Sequence, residues 1–181
     1  GVDLLAASPE SLTAAVEIDT SAGNGTVDLS STLNGAFNFD IVSGNGAVAI
    51  QGVTGGTAAL ASLDINQAGG LGTIEVNNIG AGTAGVTGDT RIGNAATTQL
   101  TLDGTVYNAN AQTYTATVGG QVIDLTNTAG VTFTSSGDAI TFATGTVELA
   151  DGANLTVNSA GGDISAAAGI AGTSVEDVTL N

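Results

Sequence analysis

Apolar residues recur at every second position in short runs, and the runs are separated by turns containing Gly and Asn. Three windows show this most clearly: Val16–Leu29 (VEIDTSAGNGTVDL), Phe37–Ile50 (FNFDIVSGNGAVAI) and Leu63–Val76 (LDINQAGGLGTIEV). Each reads apolar-x-apolar, a turn, then apolar-x-apolar, and a period of two marks a strand with one buried face. Aligned without gaps, the windows place Gly25, Gly46 and Gly72 in one column. Their first residues, Val16, Phe37 and Leu63, are unequally spaced, so each copy reads as one coil with a loop of variable length. The alternation predicts that Val16, Ile18, Val27, Leu29, Phe37, Phe39, Val48, Ile50, Leu63, Ile65, Ile74 and Val76 point inward and that the residues between them face solvent.

The C-terminal half keeps a tighter rhythm. Ile123-x-Leu125 recurs as Val147-x-Leu149, Val131-x-Phe133 as Leu155-x-Val157, and Ile140 as Ile164, all three at one identical interval. The second of these strands returns once more as Val178-x-Leu180, at an interval shorter by a single position. Three strands repeating in step imply three faces per coil. Asn24-Gly25, Asn34-Gly35 and Asn45-Gly46 would also suit hairpin turns and an antiparallel sandwich. Repetition of whole three-strand units favours a solenoid, in which each unit stacks on its copy. The fold class expected is therefore all-β: a right-handed parallel β-solenoid with about three short strands per coil, the hand following from the crossover rule for parallel strands. Seven or eight coils at about 4.8 Å each would make a rod roughly 35–40 Å long. Residues 1–15 read as an N-terminal cap or inter-repeat linker, with Ser8 placed to cap a short helix that begins at Pro9. Residues 16–181 read as the rod, with an irregular bulge at about 80–93.

Composition narrows the reading. The chain has 17 carboxylates against one basic residue, Arg91, for a formal net charge of −16, and it contains no Cys, His, Met or Trp. It is nonetheless 42% apolar, which argues against acidic disorder. With six aromatics among 181 residues, a narrow core of branched aliphatics fits better than a broad globular one. One Arg cannot neutralise a phosphate backbone, so nucleic acid is excluded as a partner, and an anionic membrane surface would repel the chain. No apolar stretch is long enough to insert into a membrane.

From Leu100 to Asn181, segments such as Gly130–Phe133 (GVTF), Ala150–Ile164 (ADGANLTVNSAGGDI) and Asp177–Asn181 (DVTLN) resemble the repeats of filamentous-haemagglutinin-like exoproteins. The similarity extends over most of the chain from Val16 onward. It implies a secreted, extracellular chain at the cell surface with an adhesive or architectural role, and partners among surface glycans or receptors on host or neighbouring cells.

The inventory of side chains bears on chemistry. Without His or Cys, neither a Ser–His nor a Cys–His nucleophile can be built, and zinc sites fail for the same reason. A lyase acting on uronates would need basic residues beyond Arg91, whose expected role is to pair with Asp89. The chain is thus expected not to be an enzyme and to need no cofactor other than a candidate calcium ion. The gap-free alignment stacks Glu17, Asn38 and Asp64 in one outward column, Asp19, Asp40 and Asn66 in a second, and Asp28, Ala49 and Glu75 in a third. Like charges a coil apart repel appreciably even in water. A solvated face answers this; calcium at Glu17, Asp19, Asp28, Asp40, Asp64 and Glu75 would answer it more strongly. Asn24-Gly25-Thr26 and Asn154-Leu155-Thr156 match the glycosylation pattern at a frequency chance explains. The Thr-x-Thr pairs Thr113/Thr115 and Thr132/Thr134 would suit an ice-binding face, but in sequence they do not repeat at one coil period, so strand propensity accounts for them.

The leading expectation is a rod segment of a surface fibre or adhesin that stacks end to end with copies of itself. A filament or sheath subunit assembled from separate chains, and a calcium-dependent binding module, are the alternatives. The expected axial contact joins Val178 and Leu180 to Val16 and Ile18 of the next copy, because an open strand edge pairs with another strand unless covered.

Overall fold

The computed structural model describes residues 1–4, 9–117 and 122–181. The chain forms a parallel β-solenoid of about seven turns, with roughly three strands per coil. Every strand pairing among the described residues is parallel, and the chain visits three faces in the same order in each coil. Face A stacks eight strands: Val2–Leu4, Val27–Leu29, Val48–Ile50, Ile74–Val76, Leu100–Leu102, Val122–Leu125, Thr146–Leu149 and Ile170–Ala171. Face B starts with Glu10–Ser11 on Leu33–Asn34 and ends with Val106–Asn108, Val131–Thr134, Leu155–Asn158 and Val178–Leu180. Between these two parts it narrows to single bridges at Thr54 and Ile79. Face C stacks Val16–Asp19, Asn38–Val42, Ser62–Ile65, Thr90–Ile92, Gln112–Thr115, Ile140–Thr144 and Ile164–Ala166.

The alternating apolar residues become columns along the rod. On face A, Val27, Val48, Ile74, Leu100, Ile123 and Val147 lie one above another, and all are buried. Each fully buried aliphatic or aromatic side chain is worth roughly 1.5–3 kcal/mol in transfer free energy. In the middle of the rod the columns widen to admit rings. Tyr107 stacks on Phe133 with centroids 4.8 Å apart, Tyr114 stacks on Phe142 at 5.6 Å, and the two stacks meet edge to face. The buried hydroxyls are satisfied: Tyr107 donates to Val76 O and accepts from Gly104 N, and Tyr114 donates to Gln112 Oε1. Desolvation holds both phenols well above the usual tyrosine range.

Turns have backbone N–H groups with no ladder partner, and Asn side chains supply acceptors from the adjacent coil. Asn24 Oδ1 accepts from Asn45 N at 2.9 Å, and Asn45 Oδ1 accepts from Leu71 N at 3.0 Å. Asn34 Oδ1 does the same for Thr57 N and Ala58 N, and Asn78 Oδ1 for Thr105 N and Val106 N. At the same corner as Asn24 and Asn45, Gly25, Gly46 and Gly72 stack as the alignment places them. A Cβ on Gly46 would lie 2.3 Å from Gly25 O, and one on Gly72 would lie 2.1 Å from Gly46 O. Glycine is required there by the close approach of successive coils.

The strands that recur at a near-constant interval in the C-terminal half pair as expected: Ile123 with Val147, Val131 with Leu155, Ile140 with Ile164, and Leu155 with Val178. The gap-free alignment of the first three windows holds on face A and fails on face C. There Val16 pairs with Phe39 and Ile18 with Ile41, and these continue to Leu63 and Ile65. The middle coil has a shorter C-to-A turn: fewer residues separate Ile41 from Val48 than separate Ile18 from Val27. Phe37 therefore falls outside the strand and is 38% exposed, while Phe39 is 2% exposed. Val16, at the end of its column, is also exposed, and Ile18 is half-buried.

The N-terminal residues take part in the stack: Val2–Leu4 pairs with Val27–Leu29 and Glu10–Ser11 with Leu33–Asn34. Glu10 is extended where the sequence predicts the first turn of a helix, and Ser8, its expected cap, lies outside the described residues. In the region expected to bulge, Val86 is buried between Leu60 and Ala109, and Thr90–Ile92 is a face C strand. Only residues 81–83 form a fully exposed run there.

Candidate functional site

Outward positions define the surfaces available for function, and the strand register fixes which side chains adjoin. On face C the register places Glu17, Asp40, Asp64 and Arg91 in one column, followed by Thr113, Thr141 and Ser165. Sequence alignment put Asn38 in this column and Asp40 in the next; the shortened turn brings the three carboxylates together. Arg91 closes the acidic part by pairing with Asp64, not Asp89: Nε donates to Oδ1 at 2.7 Å and Nη2 to Oδ2 at 2.5 Å. Asp40, between two carboxylates, has its carboxyl raised above the ordinary value, first by burial and then by Asp64 and Glu17, with Arg91 opposing.

Asp19 stands apart from this column. It pairs with Val42 in the ladder and turns to its own corner, accepting from Ser21 N at 2.9 Å and Ser21 Oγ at 2.6 Å, which lowers its pKa. Asn66, expected beside it, is buried and accepts from Ser43 N. On face A the outward column runs Asp3, Asp28, Ala49, Glu75, Thr101, Asp124, Glu148, Ala171, so Ala49 and Thr101 interrupt the acidic series. Burial raises Asp124. Of the six carboxylates considered for calcium, the fold brings Glu17, Asp40 and Asp64 together, sets Asp28 and Glu75 two coils apart, and leaves Asp19 alone. Among the described residues, no three acidic side chains converge in a geometry that would hold a metal ion.

Face B differs in charge from face A and from the N-terminal half of face C. Its described strand and bridge positions from Leu33 onward carry no charged side chain: outward of the buried column Leu33, Thr54, Ile79, Tyr107, Phe133, Val157 stand Asn, Val, Thr and Gly. At the C-terminal side, Val106, Thr132, Thr156 and Thr179 form one outward column, and Asn108, Thr134 and Asn158 a second that leads to Asn181. The Thr132/Thr134 pair thus recurs at the coil period as Thr156/Asn158 and Thr179/Asn181, a repetition hidden in sequence by the Thr-to-Asn change. Sequence reasoning missed this surface for that reason.

Both ends of the stack present apolar side chains and unpaired edges. Val178 and Leu180 are 44% and 52% exposed, while Leu155 and Val157 one coil earlier are fully buried. Beside them a groove of about 250 Å³ is lined by Leu149, Ile170, Thr173, Ser174, Glu176 and Val178. Glu176 accepts from Gly152 N and Ser174 N, which pulls its pKa down to about 2. The expected axial contact is corrected by face: Val178–Leu180 belongs to face B and Val16–Asp19 to face C, so the two cannot continue one ladder. In a continued stack, Val2–Leu4 would follow Ile170–Ala171 and Glu10–Ser11 would follow Val178–Leu180, while face C, one strand shorter than face A, would lack a rung between Ile164–Ala166 and Val16–Asp19.

Among the described residues, no helix is long and apolar enough to cross a membrane. No protein family, no curated protein and no solved structure matches the chain. The fold defines a β-solenoid repeat protein, and the resemblance to filamentous-haemagglutinin-like exoproteins rests on the repeat residues alone.

Proposed function

We propose that this chain is a non-enzymatic rod segment of an extracellular surface fibre or adhesin, whose stack is continued at both ends by coils of the same kind, in one polypeptide or between chains. The observation that supports it is the way exposure changes along the columns. Val16 is 36% exposed, Phe39 beneath it 2% and Leu63 beneath that 0%, so the end of this apolar column differs from its interior in lacking a neighbour. Face-matched continuation also avoids like-charge contact on face A, where Asp3 would adjoin Ala171. The remaining junction sets Glu10 against Leu180, since Glu10 continues the inward column of face B. Covering Glu10 there would cost desolvation, so the face B junction weakens the contact that face A favours.

Electron microscopy and light scattering of the chain at high concentration test the reading. The parent is expected to form rods of graded length. Ile170→Asp combined with Val178→Asp, which charges the last inward rungs of faces A and B, should leave single short rods that still show the parent's circular dichroism. Strictly single rods of the parent at every concentration would sink the axial contact.

A further inference from the structure

We propose that the outer surface of face B between Val106 and Asn181 binds ordered water, as the face of an ice crystal. This inference concerns the side of the rod and does not rest on its ends.

The columns Val106–Thr132–Thr156–Thr179 and Asn108–Thr134–Asn158–Asn181 make a two-dimensional array. Neighbouring rungs are about 4.8 Å apart, and side chains two residues apart on one strand are about 6.6 Å apart. The oxygen lattice of ice repeats on the same scale in two directions. Each Thr offers a methyl group and a hydroxyl on a side chain whose χ1 is restricted by branching, so the array loses little freedom when it orders water. The pairing of these rungs is unbroken by any register shift. Asn158 Oδ1 is occupied by Ala160 N, but the hydroxyls of Thr132, Thr134, Thr156 and Thr179 have no partner among the described residues. Thr20, Thr57 and Thr87 engage their hydroxyls within the protein, whereas single outward threonines such as Thr101, like those of face B, do not among the described residues.

The two columns carry no charged side chain, although Asp177 lies two residues before Thr179 on the last rung. The strands of face C from Gln112 onward are uncharged as well, but their register shifts between Tyr114 and Thr115 while that of face B does not. A chain with a net charge of −16 keeps every carboxylate off the described strand and bridge positions of this face from Leu33 onward. Charged groups would impose hydration shells that do not fit a lattice. Two other occupants fit less well. A glycan chain usually gains from stacking on aromatic rings, and Tyr107 and Phe133, the rings of this face, are buried. A second copy would have to cover free hydroxyls with little apolar area beyond Val106.

The test measures ice growth rate at fixed undercooling, thermal hysteresis and ice-recrystallisation inhibition. The parent is expected to slow growth several-fold. Thr132→Lys combined with Thr156→Lys should abolish the effect, while Thr101→Lys on face A should retain it, with circular dichroism and melting confirming that each is folded. If the double variant does not fold, Thr179→Lys on the exposed last rung should reduce the effect by half or more. Ice growth unaffected by the parent, or affected equally by the parent and the folded face B variants, would overturn the proposal. So would binding of the parent to an insoluble neutral glucan with no effect on ice.

Discussion

Phe37 and Phe39 lie two residues apart with the same side chain and opposite fates, and they give the sharpest test of the register. Phe39→Ala should cost about 3–5 kcal/mol, the usual penalty for emptying a packed aromatic site. Phe37→Ala should change stability by less than about 0.5 kcal/mol, as at other surface positions. Denaturant melts of the two variants decide it; equal losses would restore the gap-free alignment. Gly46 probes a different constraint. Its missing Cβ makes room for the carbonyl of Gly25, so Gly46→Ala should destabilise by about 1–3 kcal/mol through overpacking. Gly82→Ala, where no atom lies within 4 Å, should suffer only from its left-handed φ of 104° and provides the comparison.

A column of carboxylates is a property of the stacked strands, and its cost depends on pH. Asp40 has a folded-state pKa above its unfolded value, so the native chain binds more protons there than the unfolded one. Stability from this group is present below the unfolded value of about 3.8 and declines as pH rises through the raised native value. Asp19 and Glu176 act in the opposite sense, their stabilisation present above the unfolded values and lost as pH falls. Asp40→Asn should therefore raise the melting temperature at pH 7, by the equivalent of less than about 1 kcal/mol, and the gain should vanish at acid pH. Arg91→Ala should do the reverse, exposing Asp64 to Asp40, with a loss of about 0.2–1 kcal/mol that shrinks in high salt because the guanidinium is 48% exposed.

The same ladders show why parts of the fold were legible and others not. The last three coils could be read directly, since Val131-x-Phe133, Leu155-x-Val157 and Val178-x-Leu180 keep both alternation and a near-constant interval. On face C a shorter turn between Ile41 and Val48 left the local pattern intact and shifted the phase, which alternation alone cannot detect. Thr54 and Ile79 continue face B as single bridged residues and carry no strand signal at all. The acidic trio and the Thr columns depend on that phase, so they came into view only with the structure.

At the scale of the whole molecule, each coil touches only its neighbours, and stability becomes nearly a sum of coil and interface terms. Amide exchange should be slowest in the strands from Leu100–Leu102 to Ile140–Thr144, around the four stacked rings, and fastest at Val2–Leu4 and Val178–Leu180. Uniform protection along the rod would contradict this. The ladder hydrogen bonds join one coil to the next, so they point along the axis of the rod. Tension applied at the two ends would load them one coil at a time, not all together. Each coil that lets go would release roughly 80 Å of extended chain in exchange for about 4.8 Å of rod. A tether built this way yields in steps at the ends while its ring-filled middle holds, and it lengthens many-fold before it breaks.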